Sequence, residues 1–426
     1  MRGARWVTTG LVDQVVIASA NAGMTLLAAA LLPRDRAGAL LLSIGLGYLV
    51  LALNRAFVGD VLLAKASRLG GGEHDRLVRD GLASAIVVGV AAAAVLLGVW
   101  VFWRRPGTEI DLQDLVWLAP FLPMILLHDT GRYSYLADRQ QQKALVIDLV
   151  WVGTQATLIT VSALAGYAHT AATLPVSWGL GATAGAATYL VRSRQQPWRG
   201  HPRQWVARTR DLSGWFVATM LVGQLQVQAV GFLVAGRLGR PEVAGLRAAQ
   251  TALLQPVQNF SMAIMGLLVP RSSRLAAGRD AAGLRRQTVR VGLAFVGLAA
   301  LTVLVAVPLA RLVLSHIPKY ADLAALALPI ALQAGIYLVQ IPFSAAIRGM
   351  QRGALLFLQY LIFTATSLTG LMIGTGHGLV GAAWGLTCGA GVGLVAQIAC
   401  YAWAVRRIDA TGSAEITESV SAGVPG

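Results

Sequence analysis

Residues 81–103, GLASAIVVGVAAAAVLLGVWVFW, form an apolar run without a single charged side chain. At a helical rise of 1.5 Å per residue the run is about 35 Å long, enough to cross the hydrocarbon core of a bilayer. Hydrocarbon offers no water to the backbone amides and carbonyls, so such a run is expected to be an α-helix. This stretch therefore predicts the fold class, an all-α polytopic membrane protein.

Eleven further apolar runs of similar length flank this one, and together they predict about twelve transmembrane helices. The predicted spans are 11–32, 37–63, 81–103, 114–136, 144–166, 172–191, 213–236, 243–269, 288–314, 324–346, 353–374 and 379–404. Twelve spans of about 22 residues leave about 160 residues for connections and tails, which excludes a sizeable soluble domain.

The composition points the same way. Apolar types make up 56% of the 426 residues and charged types 13%, whereas soluble globular chains are about 25% charged. The formal net charge is +16, but the basic residues lie between the apolar runs rather than on a soluble domain. We therefore expect no nucleic-acid partner.

Lysine and arginine are unevenly divided between alternate connections: 25 on one side, eight on the other, and two inside spans. Short loops rich in these residues stay cytoplasmic during insertion, so both termini are predicted to be cytoplasmic. Residues 408–426 are small and polar and are predicted to form a disordered cytoplasmic tail. Tryptophans near predicted span ends are expected to anchor the helices at the headgroups, namely Trp6, Trp100, Trp103, Trp117, Trp178, Trp215 and Trp403.

An internal repeat divides the chain. Residues 61–69, VLLAKASRL, resemble residues 267–275, LLVPRSSRL, and Ala37-Gly38 matches Ala244-Gly245 at nearly the same shift. A shift of six spans keeps both copies in one orientation, which is typical of transporters with parallel repeats. We predict two six-helix lobes, 1–195 and 213–407, joined by a cytoplasmic linker, 196–212, around a central cavity. The alternative is a duplicated structural bundle without transport.

Polar side chains inside spans are costly in lipid, so they are expected to face a water-filled cavity. Several recur at three- and four-residue steps and are predicted to contact substrate: Asn21 in span 1, Gln224 and Gln228 in span 7, Arg247, Thr251, Gln255 and Gln258 in span 8, and Gln333 and Gln340 in span 10. For any single glutamine the alternative is a hydrogen bond between packed helices.

Ionisable residues inside spans are concentrated in the first lobe. They are Asp13 in span 1, Arg55 and Asp60 in span 2, His128, Asp129 and Arg132 in span 4, and Asp148 in span 5. A guanidinium in a cavity can bind phosphate oxygens through two parallel hydrogen bonds. The alternatives are ion pairs, Arg132 with Asp129 one turn earlier and Arg55 with Asp60.

Motifs for catalysis or metal binding are missing from the sequence. The six histidines show no ligand spacing, and Gly179-Leu180-Gly181 lies in an apolar span without a preceding strand. We therefore expect neither an enzyme nor a bound cofactor. Gly385, Gly389 and Gly393, at four-residue spacing, predict close helix packing.

Two segments carry a family resemblance: LVDQVVIASANAGMTLLAAALLPRDRAGALLL (11–42) with NRAFVGD (54–60), and VAGLRAAQTALLQPVQNF (243–260). They resemble the multidrug, oligosaccharidyl-lipid and polysaccharide (MOP) exporter superfamily, particularly O-antigen-type polysaccharide flippases. The resemblance implies a flippase in a bacterial cytoplasmic membrane that moves a polyprenyl-pyrophosphate-linked oligosaccharide by alternating access. Basic cavity residues would hold the pyrophosphate, and the candidates are Arg55, Arg132 and Arg247. Membrane lipids and glycan-assembly enzymes are the other expected partners.

Two other functions stay open on the sequence alone. The first is a cation-coupled exporter of small amphipathic compounds, in which Asp13, Asp60, His128 or Asp129 exchanges a proton or sodium ion against substrate. The second is a membrane scaffold for glycan assembly that transports nothing.

Overall fold

The computed structural model describes residues 34–103, 114–167, 170, 172–315 and 324–422, and, before them, positions 12–13, 16–17, 19–20, 23–24, 27–28 and 32. Every regular element among these residues is a helix. Seven helical segments are long and apolar enough to cross a membrane. The predicted all-α polytopic fold is thus confirmed. The chain divides into two compact units, Met1–Gly214 (unit 1) and Trp215–Gly426 (unit 2).

Unit 1 follows the predicted spans closely. Its helices are α1 (Arg34–Asn54), α2 (Asp60–Lys65), α3 (Gly71–Trp103), α4 (Leu115–Leu118), α5 (Leu122–Ala137), α6 (Gln141–Leu164), α7 (Thr173–Ser193) and the first part of α8 (Pro202–Arg237). Shorter 3₁₀ turns lie at Ala66–Arg68, Ala119–Phe121 and Pro197–Arg199. Buried leucines of α4 and α5, among them Leu118 and Leu126, form the centre of the core.

A π-helical turn, Arg55–Gly59, joins α1 to α2 within predicted span 2. Such turns insert one extra residue into a helix and occur frequently at functional sites. Gly59 permits this turn to approach α5, because a Cβ there would lie 2.9 Å from the ring of Tyr133. The turn therefore changes the side-chain direction within span 2 at Arg55.

Trp178 does not anchor the protein at the headgroups, as its position near a span end predicts. Its side chain is buried in the core of unit 1, where the ring packs 5.2 Å from the ring of Tyr48. Trp117, Trp215 and Trp403 are exposed, which suits the predicted anchoring role.

The segment predicted to link the two lobes is helical and packs on unit 1. Trp205 at the start of α8 is fully buried, against Phe57 and Gly81. Asp80 on α3 accepts a hydrogen bond from the backbone amide of His201 at 2.9 Å, just before α8 begins. Residues 202–212 thus form part of the body of unit 1.

Within the described part of the chain, unit 2 contains the remainder of α8, six further α-helices and a 3₁₀ turn at Thr375–His377. The α-helices are α9 (Arg240–Leu253), α10 (Gln255–Ala277), α11 (Ala281–Ser315), α12 (Ala327–Gly349), α13 (Gly353–Gly374) and α14 (Gly378–Ala422). Predicted span 8 is divided at Leu254, and Pro256 lies in the first turn of α10, where its missing backbone N–H has no helical acceptor to lose. Helix α14 continues to Ala422, through most of the segment predicted to be a disordered tail.

Helices α13 and α14 pack with their backbones in direct contact. A Cβ added to Gly370, Gly374, Gly381 or Gly385 would collide with the backbone of the facing helix. Gly389 and Gly393 likewise pack against Ser367 and Phe363 of α13. The close packing predicted from the four-residue glycine spacing is confirmed.

Candidate functional site

Four ionisable side chains meet inside unit 1, and all four are buried: Asp13, His128, Arg132 and Asp148. We call them the buried quartet. The Arg132 guanidinium donates from Nη2 to Asp13 Oδ2 at 2.7 Å and from Nε to Asp148 Oδ2 at 2.9 Å. His128 Nε2 lies 3.1 Å from Asp148 Oδ1. One guanidinium thus bridges two carboxylates, and one imidazole contacts the second of them.

Two helices carry three members of the quartet, and a third helix packs against them. His128 and Arg132 lie four residues apart on α5, which places them on one helical face. Asp148, on α6, faces them. On α7, Gly185 makes room for the imidazole, because a Cβ there would lie 2.9 Å from His128 Nε2. The His128 ring also packs against Trp151, with ring centroids 5.4 Å apart.

The charges of the quartet do not balance unless a proton is added. Two ionised carboxylates face one guanidinium, so the quartet carries one excess negative charge when His128 is neutral. An unbalanced charge costs several kcal/mol where side chains are buried. A proton on His128 or on either carboxylate removes the imbalance.

Asp13 offers a place for that proton. Its Oδ1 atom is buried, and none of the residues that the structure describes donates a hydrogen bond to it. A buried carboxylate oxygen without a donor is unfavourable when ionised, whereas a carboxylic acid places its own proton there.

Arg55 and Asp129 form a second, separate ion pair. The guanidinium donates from Nη2 to Asp129 Oδ1 at 2.7 Å and from Nε to Oδ2 at 3.0 Å. The Arg55 side chain is 25% exposed, whereas Asp129 is buried. Next to this pair, the amide of Asn54 donates to Thr130 Oγ1 at 3.1 Å. The π-helical turn thus begins at a charge-paired arginine that is still partly accessible.

The partners differ from those that spacing along the sequence predicts. Arg132 binds Asp13 and Asp148, in predicted spans 1 and 5, whereas Asp129 forms its ion pair with Arg55. Asp148 lies inside predicted span 5, but the sequence predicts no role for it. Its presence in a membrane span is itself a signal of function. Asp60 is half-buried at the start of α2, one turn beyond Arg55.

In unit 2, two predicted substrate residues bond to protein groups. Gln333 donates to the Tyr337 hydroxyl at 3.0 Å, within α12. Gln340 donates to the backbone carbonyl of Ala390 on α14 at 3.4 Å. Gln340 therefore fits the alternative interpretation, a hydrogen bond between packed helices.

The other polar residues of unit 2 behave differently. Gln224 and Gln228 on α8 are exposed, and so are Gln255 and Gln258 on α10. Arg247 of α9 is also exposed and donates from Nη2 to the Val227 carbonyl at 3.1 Å, between the two α8 glutamines. We call Gln224, Gln228 and Arg247 the exposed polar face. The side chain of Thr251 and the whole of Asn21 lie outside the described residues.

Within the part of the chain that the structure describes, no group of three or more His, Cys, Asp and Glu side chains is arranged to hold a metal ion.

The fold is that of known transporters. The chain is similar to an outward-facing multidrug resistance MATE family transporter of the MOP superfamily, with 13% identity and a TM-score of 0.79, covering 96% of both chains. It is also similar to a MOP superfamily transporter from Pyrococcus furiosus, with 13% identity and a TM-score of 0.77, covering 96% of this chain and 95% of that one. A Vibrio cholerae MATE transporter gives 17% identity and a TM-score of 0.76, with 95% and 96% covered.

No family model matches the chain, and no curated protein is significantly similar to it. At these identities the likeness is one of fold. The chain therefore shares its fold with structures titled as MATE and MOP superfamily transporters, which agrees with the resemblance of residues 11–42, 54–60 and 243–260.

Proposed function

We propose that this protein is a proton-coupled exporter of amphipathic compounds that works by alternating access. The observation that carries the proposal is the charge imbalance of the buried quartet, which one proton corrects. The fold agrees, since one of the similar structures is titled a multidrug resistance transporter. An intramembrane ionisable group that gains and loses one proton can couple a proton gradient to transport.

In this proposal the proton and the substrate exclude each other. The proton binds to Asp13 or Asp148, and substrate binds only to the deprotonated protein. With the proton bound, the positive and negative charges of the quartet are balanced and the site is closed. Loss of the proton leaves one excess negative charge, which disfavours the closed arrangement and favours a state that admits substrate. A ligand changes such an equilibrium only through its different affinity for the two states, and here the proton is that ligand.

The test uses proteoliposomes holding the purified full-length protein, a pH gradient and ethidium as the transported dye. Wild-type protein should move dye only when the gradient is present. Asp13→Asn and Asp148→Asn should each abolish gradient-driven movement, because neither amide can take up a proton. Glu73→Gln, at an exposed acid in the first turn of α3, is the matched control and should transport normally. Gradient-dependent transport by both quartet variants would refute the coupling role.

A second candidate is the lipid-linked oligosaccharide flippase that the sequence resemblance implies, and the exposed polar face favours it. This face offers glutamine amides and one guanidinium, groups that suit sugar hydroxyls and a pyrophosphate. Arg247→Gln should then reduce glycan at the cell surface by about tenfold or more, while the same strain keeps its normal resistance to dyes. Reduced dye resistance with normal surface glycan would favour the exporter.

We also propose that the protein lies in a bacterial cytoplasmic membrane with both termini inside. The division of basic residues between alternate connections supports this orientation. A cysteine introduced at Ser421, in a variant in which Cys388 and Cys400 are replaced by serine, should react with a membrane-impermeant maleimide in inverted vesicles and not in intact cells. The opposite labelling pattern would reverse the topology.

A further inference from the structure

Helix α11 begins with an electrostatic conflict. Arg285, Arg286 and Arg290 lie within its first ten residues, all three are exposed, and its first turn holds no acidic residue. None of the three arginines lies in the first turn, where the helix dipole acts, but Arg286 and Arg290 are four residues apart and repel each other as like charges on one helical face. A bound anion would remove this conflict.

Nearby carboxylates are too few to remove it. Between residues 243 and 407 the sequence has only Asp280 and Asp322 as acids. Asp280 Oδ1 accepts a hydrogen bond from the backbone N–H of Gly283 at 2.7 Å and so caps the start of α11. Measured along the helix from Ala281, Arg286 and Arg290 lie about 7 and 13 Å further on. Arg271 and Arg352, on α10 and beside α13, add further positive charge to the same predicted cytoplasmic side.

Two basic residues of unit 1 are paired with acids. Lys65 binds Asp211 at 3.1 Å, and Arg208 lies 3.5 Å from Asp80. Acids paired with bases in this way neutralise each other within the protein. Between residues 243 and 407 acids are scarce, so the exposed arginines of α11 have few carboxylates to pair with.

Below the arginines, the same helical face is apolar and exposed. Steps of three and four residues from Arg286 and Arg290 lead along α11 to the bilayer interior. The positions on this face are Leu293, Gly297, Leu301, Leu304, Pro308 and Leu312, all exposed. Leu293 is 68% exposed and Leu304 72%. One face of α11 thus carries two guanidinium groups followed by an apolar surface about 30 Å long.

We propose that Arg286 and Arg290 bind the phosphate headgroup of an anionic phospholipid whose acyl chain lies along the exposed face of α11. Guanidinium groups bind phosphate oxygens by paired hydrogen bonds. The spacing of four residues places both on one face of α11, at the end of its exposed apolar surface. Charge complementarity and the continuous apolar surface both identify the occupant as a lipid. This site is separate from the buried quartet and does not depend on transport.

The experiment measures lipid retention by the full-length protein. Wild type and variants are purified in detergent, incubated at low salt with dioleoyl phosphatidylglycerol or dioleoyl phosphatidylcholine, and examined by native mass spectrometry. The wild type should retain phosphatidylglycerol in preference to phosphatidylcholine. Each arginine near an anionic surface strengthens binding about fivefold, so Arg286→Gln/Arg290→Gln should lose about 25-fold in phosphatidylglycerol affinity. Both side chains are exposed, and the thermal unfolding temperature without lipid should stay unchanged.

The matched control is Arg203→Gln/Arg210→Gln, which removes two exposed arginines from α8 in unit 1. This control should keep the preference for phosphatidylglycerol. An equal loss in the control would show that only net charge matters and would overturn the proposal, as would unchanged retention in the α11 variant. If soluble glycerol 3-phosphate protected wild-type protein from thermal unfolding as well as phosphatidylglycerol does, the site would bind a free anion and the lipid assignment would be wrong.

Discussion

Arg55 binds Asp129 through two nitrogen atoms across the 74 residues that separate them in the chain. The pair joins the π-helical turn to α5, and the Arg55 side chain is three-quarters buried there. Asp129→Asn should therefore destabilise the protein by about 3 kcal/mol, because a largely enclosed guanidinium loses its counter-charge. Thermal unfolding in detergent measures the loss.

The matched control for this prediction is the double variant Arg55→Gln/Asp129→Asn, in which no charge is left behind. It should recover more than half of the stability lost by Asp129→Asn. A double variant less stable than either single variant would show that the pair is not the source of the effect.

The buried quartet makes a prediction about charge balance. Arg132→Gln leaves two carboxylates facing each other without a cation, which should cost about 3–5 kcal/mol of folding free energy. Arg132→Gln/Asp148→Asn removes one of those carboxylates and should be the more stable of the two proteins. Unfolding temperatures at neutral pH provide the comparison, and equal temperatures would contradict the charge count.

Gly185 is predicted to position His128, because its lack of a side chain leaves room for the imidazole ring. Gly185→Ala puts a methyl group about where the imidazole edge lies, so we expect a loss of about 1–3 kcal/mol and of gradient-driven dye transport. Gly153→Ala is the matched control, since a Cβ at Gly153 meets nothing within 4 Å and lies in the middle of α6. If both alanine variants behave alike, Gly185 has no positioning role.

Two tryptophans seven residues apart test the packing of α8 on unit 1. Trp205 is fully buried, whereas Trp198 is 72% exposed. Trp205→Ala should cost about 3–5 kcal/mol through lost burial and the cavity left behind. Trp198→Ala should change stability by no more than about 0.5 kcal/mol. Tryptophan fluorescence during thermal unfolding distinguishes the two, and a tolerated Trp205→Ala would place residues 202–212 outside the body of unit 1.

Much of the fold could be predicted from the sequence, because lipid accepts only a narrow range of structures. Long apolar runs must be helices in hydrocarbon, and the glycine spacing in 385–393 is read directly as close helix packing. The role of residues 202–212 was not predictable in this way. These eleven residues at the start of α8 are too polar to be recognised as part of a membrane span, and burial of Trp205 depends on Gly81 and Phe57, which are far away in sequence.

The candidate site could be predicted in its residues but not in its pairing. Ionisable side chains inside spans are conspicuous, so Asp13, Arg55, His128, Asp129 and Arg132 were identified. Sequence spacing reports neighbours on the same helix, such as Asp129 and Arg132. The observed partners lie on different helices, and the Arg55–Asp129 pair also involves the π-helical turn, for which the sequence carries no known signal.

The glycine contacts between α13 and α14 have a practical consequence for measuring motion in this protein. The main chains of α13 and α14 touch at Gly370 and Gly385, with no side chains between them. Neither helix can therefore slide along the other without a steric collision. Spin labels on the exposed positions Ile373 and Val395 would therefore keep one fixed separation throughout a working cycle. That constant distance would serve as an internal reference for the distances measured between all other pairs of spin labels.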